Sequence, residues 1–90
     1  MFDTLNNLIQ LIRERKDKPI EGSYTNNLLK NNSLCKAKVL EEISELIDAV
    51  EKDTNKIHES ADVLYHLIVY LEANDIRIED VMDELKKRRK

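Results

Sequence analysis

Apolar residues recur along this chain at intervals of three and four, the period of one face of a helix. Leu5, Leu8, Ile9 and Ile12 make the first stripe. Asp3 or Thr4 stands where an N-cap belongs, basic residues gather at the far end, and Pro19 stops the run. A first helix is therefore expected over residues 4–16. Ser23 or Thr25 is placed to cap a short helical turn over 26–30. The "NNS" of 31–33 reads as a turn, with Ser33 as the next cap. A second main helix over 34–52 carries Val39, Leu40, Ile43, Leu46, Ile47 and Val50 as a core-facing stripe. After a turn at 52–55 a third spans 56–73. Between 61 and 71 it is apolar nearly all round, through Val63, Leu64, Leu67, Ile68, Val69 and Leu71, with Tyr65 and Tyr70. A helix apolar on every side must be covered on every side. Three short neighbours are too few for that, so a partner subunit is expected. "NDIR" (74–77) turns the chain into a last helix over 78–88, with Val81, Met82 and Leu85 inward.

Composition agrees with this all-α reading. The 90 residues suit one domain, and they include a single Gly and a single Pro, both within 17–23, which marks that segment as a linker. A core this small gains from oligomerisation. The net charge of −3 provides no global basic field for nucleic acid. The one dense basic run, Lys86, Lys87, Arg88, Arg89 and Lys90, either complements a helix C-terminus or grips a phosphate-rich ligand. Cys35 is alone and fits a reducing compartment. The N-terminus lacks a basic start followed by an apolar block, and the longest apolar run is too short to span a bilayer, so a cytoplasmic protein without membrane contact is expected.

Carboxylates interrupt the apolar pattern in two places. Glu42 and Glu45 are three apart, Glu41 and Glu45 four apart, and Glu59 and Asp62 three apart, so each of two helices presents neighbouring acids. The turn between these helices is short, which makes them antiparallel neighbours. Glu45 and Asp62 lie at similar distances from it, so both pairs come to a similar height. Converging carboxylates repel one another and raise each other's pKa, and a divalent cation resolves this. Oxygen donors without His or Cys select Mg²⁺, Mn²⁺ or Ca²⁺ over zinc, and Mg²⁺ commonly joins carboxylates to substrate phosphates. The competing account is a set of solvated acidic pairs, common in a chain with 18 acidic residues. Against it stands Asp62, set between Ala61 and Val63 where the helix becomes apolar and a lone carboxylate is costly. His66, four residues on, lies on the same face, where it bonds Asp62, touches substrate, or is simply a satisfied histidine.

"EGSYTNNLL" (21–29), "KVLEEISE" (38–45), "ESADVLYHLIVYL" (59–71) and "IEDVMDEL" (78–85) occur in that order. Together they resemble phosphoribosyl-ATP pyrophosphohydrolase, of the all-α MazG-like superfamily. The resemblance implies a four-helix-bundle-like fold completed by dimerisation, and Mg²⁺-dependent hydrolysis of phosphoribosyl-ATP to phosphoribosyl-AMP and pyrophosphate, the second step of histidine biosynthesis. Mn²⁺ is a possible substitute for Mg²⁺. It implies Glu42, Glu45, Glu59 and Asp62 as metal ligands, with Glu41 the adjacent catalytic carboxylate that orients a water or joins the coordination, and that can accept the water's proton as general base. Lys38, Ser23, Tyr24 and Thr25 match positions facing substrate, and Arg88 and Arg89 of either subunit are placed to offset phosphate charge. Leu40 and Ile43 flank the Glu pair where the family usually has Gly and Ala, and Arg77 stands where a Ser or Thr cap is common. Two other readings use the same residues: a general nucleoside triphosphate pyrophosphohydrolase, and a non-enzymatic helical dimerisation module.

Overall fold

The structure, a computed structural model, describes residues 1–89. Five helices account for it: α1 (Asp3–Asp17), α2 (Tyr24–Lys30), α3 (Asn32–Lys52), α4 (Lys56–Ala73) and α5 (Ile78–Lys87), with no strand among the described residues. The all-α expectation holds.

Local chemistry sets the boundaries. Neither Asp3 nor Thr4 caps α1; Phe2 precedes it without a side-chain bond, and Asp3 lies in the first turn, where its charge favours the helix dipole. Gly22 takes a left-handed φ of +81°, open to glycine, and turns the linker into α2. Ser23 caps that helix, its Oγ accepting from Asn26 N. Asn26 then ties the linker down. Its Oδ1 accepts from Ile20 N at 2.9 Å and its Nδ2 donates to the Arg15 carbonyl at 2.8 Å. Asn31, rather than Ser33, caps α3 by accepting from Leu34 N at 3.1 Å. Asp53 and Asn55, both left-handed, reverse the chain between α3 and α4. Asn and Asp tolerate that region better than other side chains, because their short polar groups bond locally.

The α3–α4 hairpin is the most extensive helix pair; α1 and α2 lie against α4, and α5 packs on α4. The core joins Ile9 and Ile12 of α1, Leu28 of α2, Cys35 of α3 and Ile68 and Val69 of α4. Ile12, Leu28 and Val69 are fully buried, each gaining about 1.5–3 kcal/mol from leaving water. Burial among these side chains also pushes the Cys35 thiol above its ordinary pKa, so it packs as a small apolar group. Arg13 fastens α1 to the far end of α4 and to α5. Its guanidinium donates to both oxygens of buried Glu72 at 3.2 and 3.1 Å and to both oxygens of Glu79 at 2.9 and 2.6 Å.

Three packing expectations change. On α3, Leu40, Ile43, Ile47 and Val50 are exposed in the single chain, and inward positions fall instead to Cys35, Glu42 and Ala49. On α4, Leu64 is also exposed. On α5, Val81 is half-buried while Met82 and Leu85 are exposed. The physical reason is coverage: α1 and α2 pack against α4, and no helix among the described residues covers Leu40, Ile43, Ile47, Val50 or Leu64. The last helix ends at Lys87, with Arg88 as its C-cap; Lys90 lies outside the described residues. No described helix is long and apolar enough to cross a membrane.

Candidate active site

The hairpin brings acids from its two helices together. One carboxylate oxygen each from Glu42, Glu45 and Glu59 lies within 4.8 Å of the others. Glu42 is only 6% exposed, an unusual burial for a charged group. Its Oε1 is 3.6 Å from Lys38 Nζ, but its Oε2 is buried without a partner, and so is Glu59 Oε2. A buried, unpartnered carboxylate oxygen costs free energy, and two in one cluster ask for a positive guest. Three closely spaced oxygen donors fit a hard divalent cation such as Mg²⁺ or Mn²⁺. Repulsion from Glu42 raises the Glu45 carboxyl above its ordinary pKa, the response expected where no cation intervenes. Lys38 sits at the rim. Its Nζ bonds Glu41 Oε2 at 3.0 Å, which holds the ammonium above its usual pKa.

A polar and aromatic cluster from α2 and α4 adjoins this group. His66 Nδ1 lies 2.8 Å from the Asp62 carbonyl and Nε2 lies 2.9 Å from Tyr24 Oη. A carbonyl only accepts, so Nδ1 carries the proton and Nε2 accepts from the tyrosine hydroxyl. The Tyr24 ring stacks on Tyr65 at 6.3 Å, and the His66 ring meets both edge-on. Burial raises the Tyr24 pKa, with Lys38 opposing, so its hydroxyl stays protonated at neutral pH. Thr25 Oγ1 and Tyr65 Oη share a hydrogen bond of 2.5 Å. Together these contacts hold the first turn of α2 against α4, with Tyr24 half-exposed beside Lys38.

The sequence of this site has relatives. A model of the family described as "Phosphoribosyl-ATP pyrophosphohydrolase" matches residues 5–89. The chain belongs to the phosphoribosyl-ATP pyrophosphohydrolase family. A "Phosphoribosyl-ATP pyrophosphatase" of Methanococcoides burtonii is 44% identical, over 98% of this chain and 94% of the relative. One of the same name from Clostridium acetobutylicum is 46% identical, over 96% of this chain and 81% of the relative. A "Histidine biosynthesis bifunctional protein HisIE" of Pyrococcus furiosus is 46% identical, but the chain spans only 41% of its length.

Within this phosphoribosyl-ATP pyrophosphohydrolase-family chain the residues picked from sequence divide. Glu42, Glu45 and Glu59 converge. Asp62 falls in a second, overlapping group with Glu59 and His58, and its carboxylate pairs with His58 Nε2 at 3.3 Å. His66 meets Asp62 through its main-chain carbonyl rather than its side chain. Of the 23–25 segment only Tyr24 presents a half-exposed side chain beside Lys38. Ser23 is a helix cap that also accepts from Arg15 Nη1 at 2.7 Å, and Thr25 is buried on Tyr65. Arg88 pairs with Glu84 at 3.5 Å, Arg89 is exposed, and neither forms an ion pair with the carboxylates among the described residues. His58 was missed, although its spacing of four to Asp62 was readable; an exposed first-turn histidine offers no burial signal. A recess of about 660 Å³ lies elsewhere, against Pro19, Ile20 and Leu29. Three of its polar side chains are engaged within the chain: Arg15 by Ser23, Asn26 by the Arg15 carbonyl, Lys16 by Asp75. The buried oxygens without a partner, Glu42 Oε2 and Glu59 Oε2, are at the hairpin instead.

Proposed function

We propose that this chain hydrolyses phosphoribosyl-ATP to phosphoribosyl-AMP and pyrophosphate at the hairpin carboxylates, with Mg²⁺ as cofactor. Family membership supports the substrate. The observation that carries the chemistry is the pair of buried, unpartnered oxygens, Glu42 Oε2 and Glu59 Oε2, beside Glu45. Glu42, Glu45, Glu59 and Asp62 would hold the cation. When bound, it supplies positive charge against the triphosphate and orders water. The remaining work falls to the chain. Lys38 stands at the rim with its ammonium toward the acids, where it meets a phosphate oxygen. Glu41, half-exposed next to Glu42, accepts the proton of the attacking water. Tyr24, oriented by His66, lines the approach with a hydroxyl and an aromatic face. Water attacks a phosphorus of the triphosphate in line, one phosphorus–oxygen bond forms as the opposite one breaks, and pyrophosphate departs.

A second copy of the chain completes this reading. Leu40, Ile43, Ile47 and Val50 of α3 and Leu64 of α4 stay exposed, a larger apolar set than an isolated chain of this size normally leaves in water. We place the homodimer interface on that side of the hairpin, where the larger Leu40 and Ile43 become contact residues.

Pyrophosphate release from phosphoribosyl-ATP, with Mg²⁺ and with chelator, tests the activity. Release should require the metal and should vanish in Glu42→Gln. Metal-independent turnover, or faster turnover on ordinary nucleoside triphosphates than on phosphoribosyl-ATP, would sink the assignment.

A further inference from the structure

We propose that the recess formed by the last turn of α1, the linker, α2 and the end of α4 binds a small phosphate monoester with an apolar body, at a site separate from the hairpin carboxylates. Its volume of about 660 Å³ suits a small organic ligand. Pro19, Ile20 and Leu29 give it an apolar wall, and around that wall Arg15, Lys16 and Lys30 face one acid, Glu21. None of the converging carboxylates Glu42, Glu45, Glu59 and Asp62 lines it. The lining also includes none of Leu40, Ile43, Ile47, Val50 and Leu64, so the dimer contact placed on those side chains does not draw on it.

The charge in the recess is held in place and left over. Arg15 is half-buried, and its Nη1 donates to Ser23 Oγ at 2.7 Å. That neutral partner aims the guanidinium without compensating its charge. Lys16 Nζ is fixed by the Glu72 carbonyl at 2.5 Å and by Asp75 Oδ1 at 3.0 Å. Neither Arg15 nor Lys30 forms an ion pair among the described residues. A guanidinium fork bonds two oxygens of one phosphate, and an ammonium adds a point charge beside it. A phosphate monoester carries about two negative charges at neutral pH, which matches the excess of cations over Glu21. An apolar group on its ester oxygen covers Ile20, which is otherwise 52% exposed. Ser23 also caps α2, so occupancy is felt at the start of the helix that carries Tyr24.

Phenyl phosphate titrated into the full chain in chelator, and followed by amide chemical shifts, reads this directly. Saturable shifts should appear within residues 15–30 and not within 41–62. Benzoate, with a single charge, should bind more weakly. Arg15→Gln should weaken phenyl phosphate about tenfold, and Lys30→Gln about threefold. Lys30 is exposed and outside the core, so Lys30→Gln and the wild-type shift map keep the test intact should Arg15→Gln fail to fold. The result is independent of turnover at the hairpin. Shifts centred on 41–62, no saturable shift at millimolar probe, unchanged affinity in folded Arg15→Gln and Lys30→Gln, or benzoate bound as tightly as phenyl phosphate would each overturn the proposal.

Discussion

Replacing Glu42 with Gln should stabilise the metal-free protein while removing its response to metal. Glu42 and Glu59 present carboxylate oxygens within 4.8 Å of each other, and Glu42 is almost fully buried. At an effective dielectric near 20 that repulsion is about 3.5 kcal/mol. Glu59 is only partly buried, so solvent reduces the recoverable part to about 1–2 kcal/mol. The new amide also donates to Glu59 or Glu45, which removes one unpartnered acceptor. Loss of the 3.6 Å contact with Lys38 subtracts from the gain without cancelling it, because that ammonium keeps its bond to Glu41. In a domain of this size about 1 kcal/mol moves the melting midpoint by about 4–8 °C. Thermal melting in chelator should therefore place Glu42→Gln at least about 4 °C above wild type. Saturating Mg²⁺ reverses the order: at a hundred times its dissociation constant it adds about 2.7 kcal/mol to wild type and little to the variant. A variant less stable than wild type in chelator, or one with an undiminished Mg²⁺ shift, would refute the reasoning.

Four further outcomes follow from features elsewhere in the chain. The guanidinium of Arg13 holds the Glu79 carboxyl down to about 2, so the unfolded state takes up its proton first as acid is added. Stability from this pair is present above pH about 4.5 and is lost as pH falls from about 4.5 to 2; Glu79→Gln should flatten the melting-midpoint profile across that window. Arg13→Met should cost about 2–3 kcal/mol by denaturant titration, because it leaves buried Glu72 without its partner. Thr25→Val and Tyr65→Phe should each cost about 1–2 kcal/mol singly, and a double-mutant cycle should return coupling between them, since each removes the same buried bond. Ile47→Glu should shift sedimentation toward the single chain while leaving its helix content unchanged, because Ile47 is 55% exposed and makes no part of the core.

Local chemistry alone determined the helices. The apolar period, the confinement of Pro19 and Gly22 to one linker, and the polar turns at 31–33 and 52–55 are properties of adjacent residues, and the elements fall within a residue or two of them. The pairing of acids on each helix was equally legible, since a period of 3.6 places residues three and four apart side by side whatever surrounds them. So was the reversal that sets α3 against α4. The tertiary structure decided what meets across helices, which depends on their rotation and on what covers them. It turned Glu42 inward and Leu40 outward on one helix, although the pattern marked only Leu40 as core. It made Glu59 the shared member of two groups, and it drew His58 to Asp62. It spent Ser23 on a cap and Thr25 on Tyr65, leaving Tyr24 half-exposed beside Lys38. A sequence states which groups can neighbour each other along a helix; packing alone states which oxygens end up buried with no partner, and those oxygens are what support the proposal of a cation.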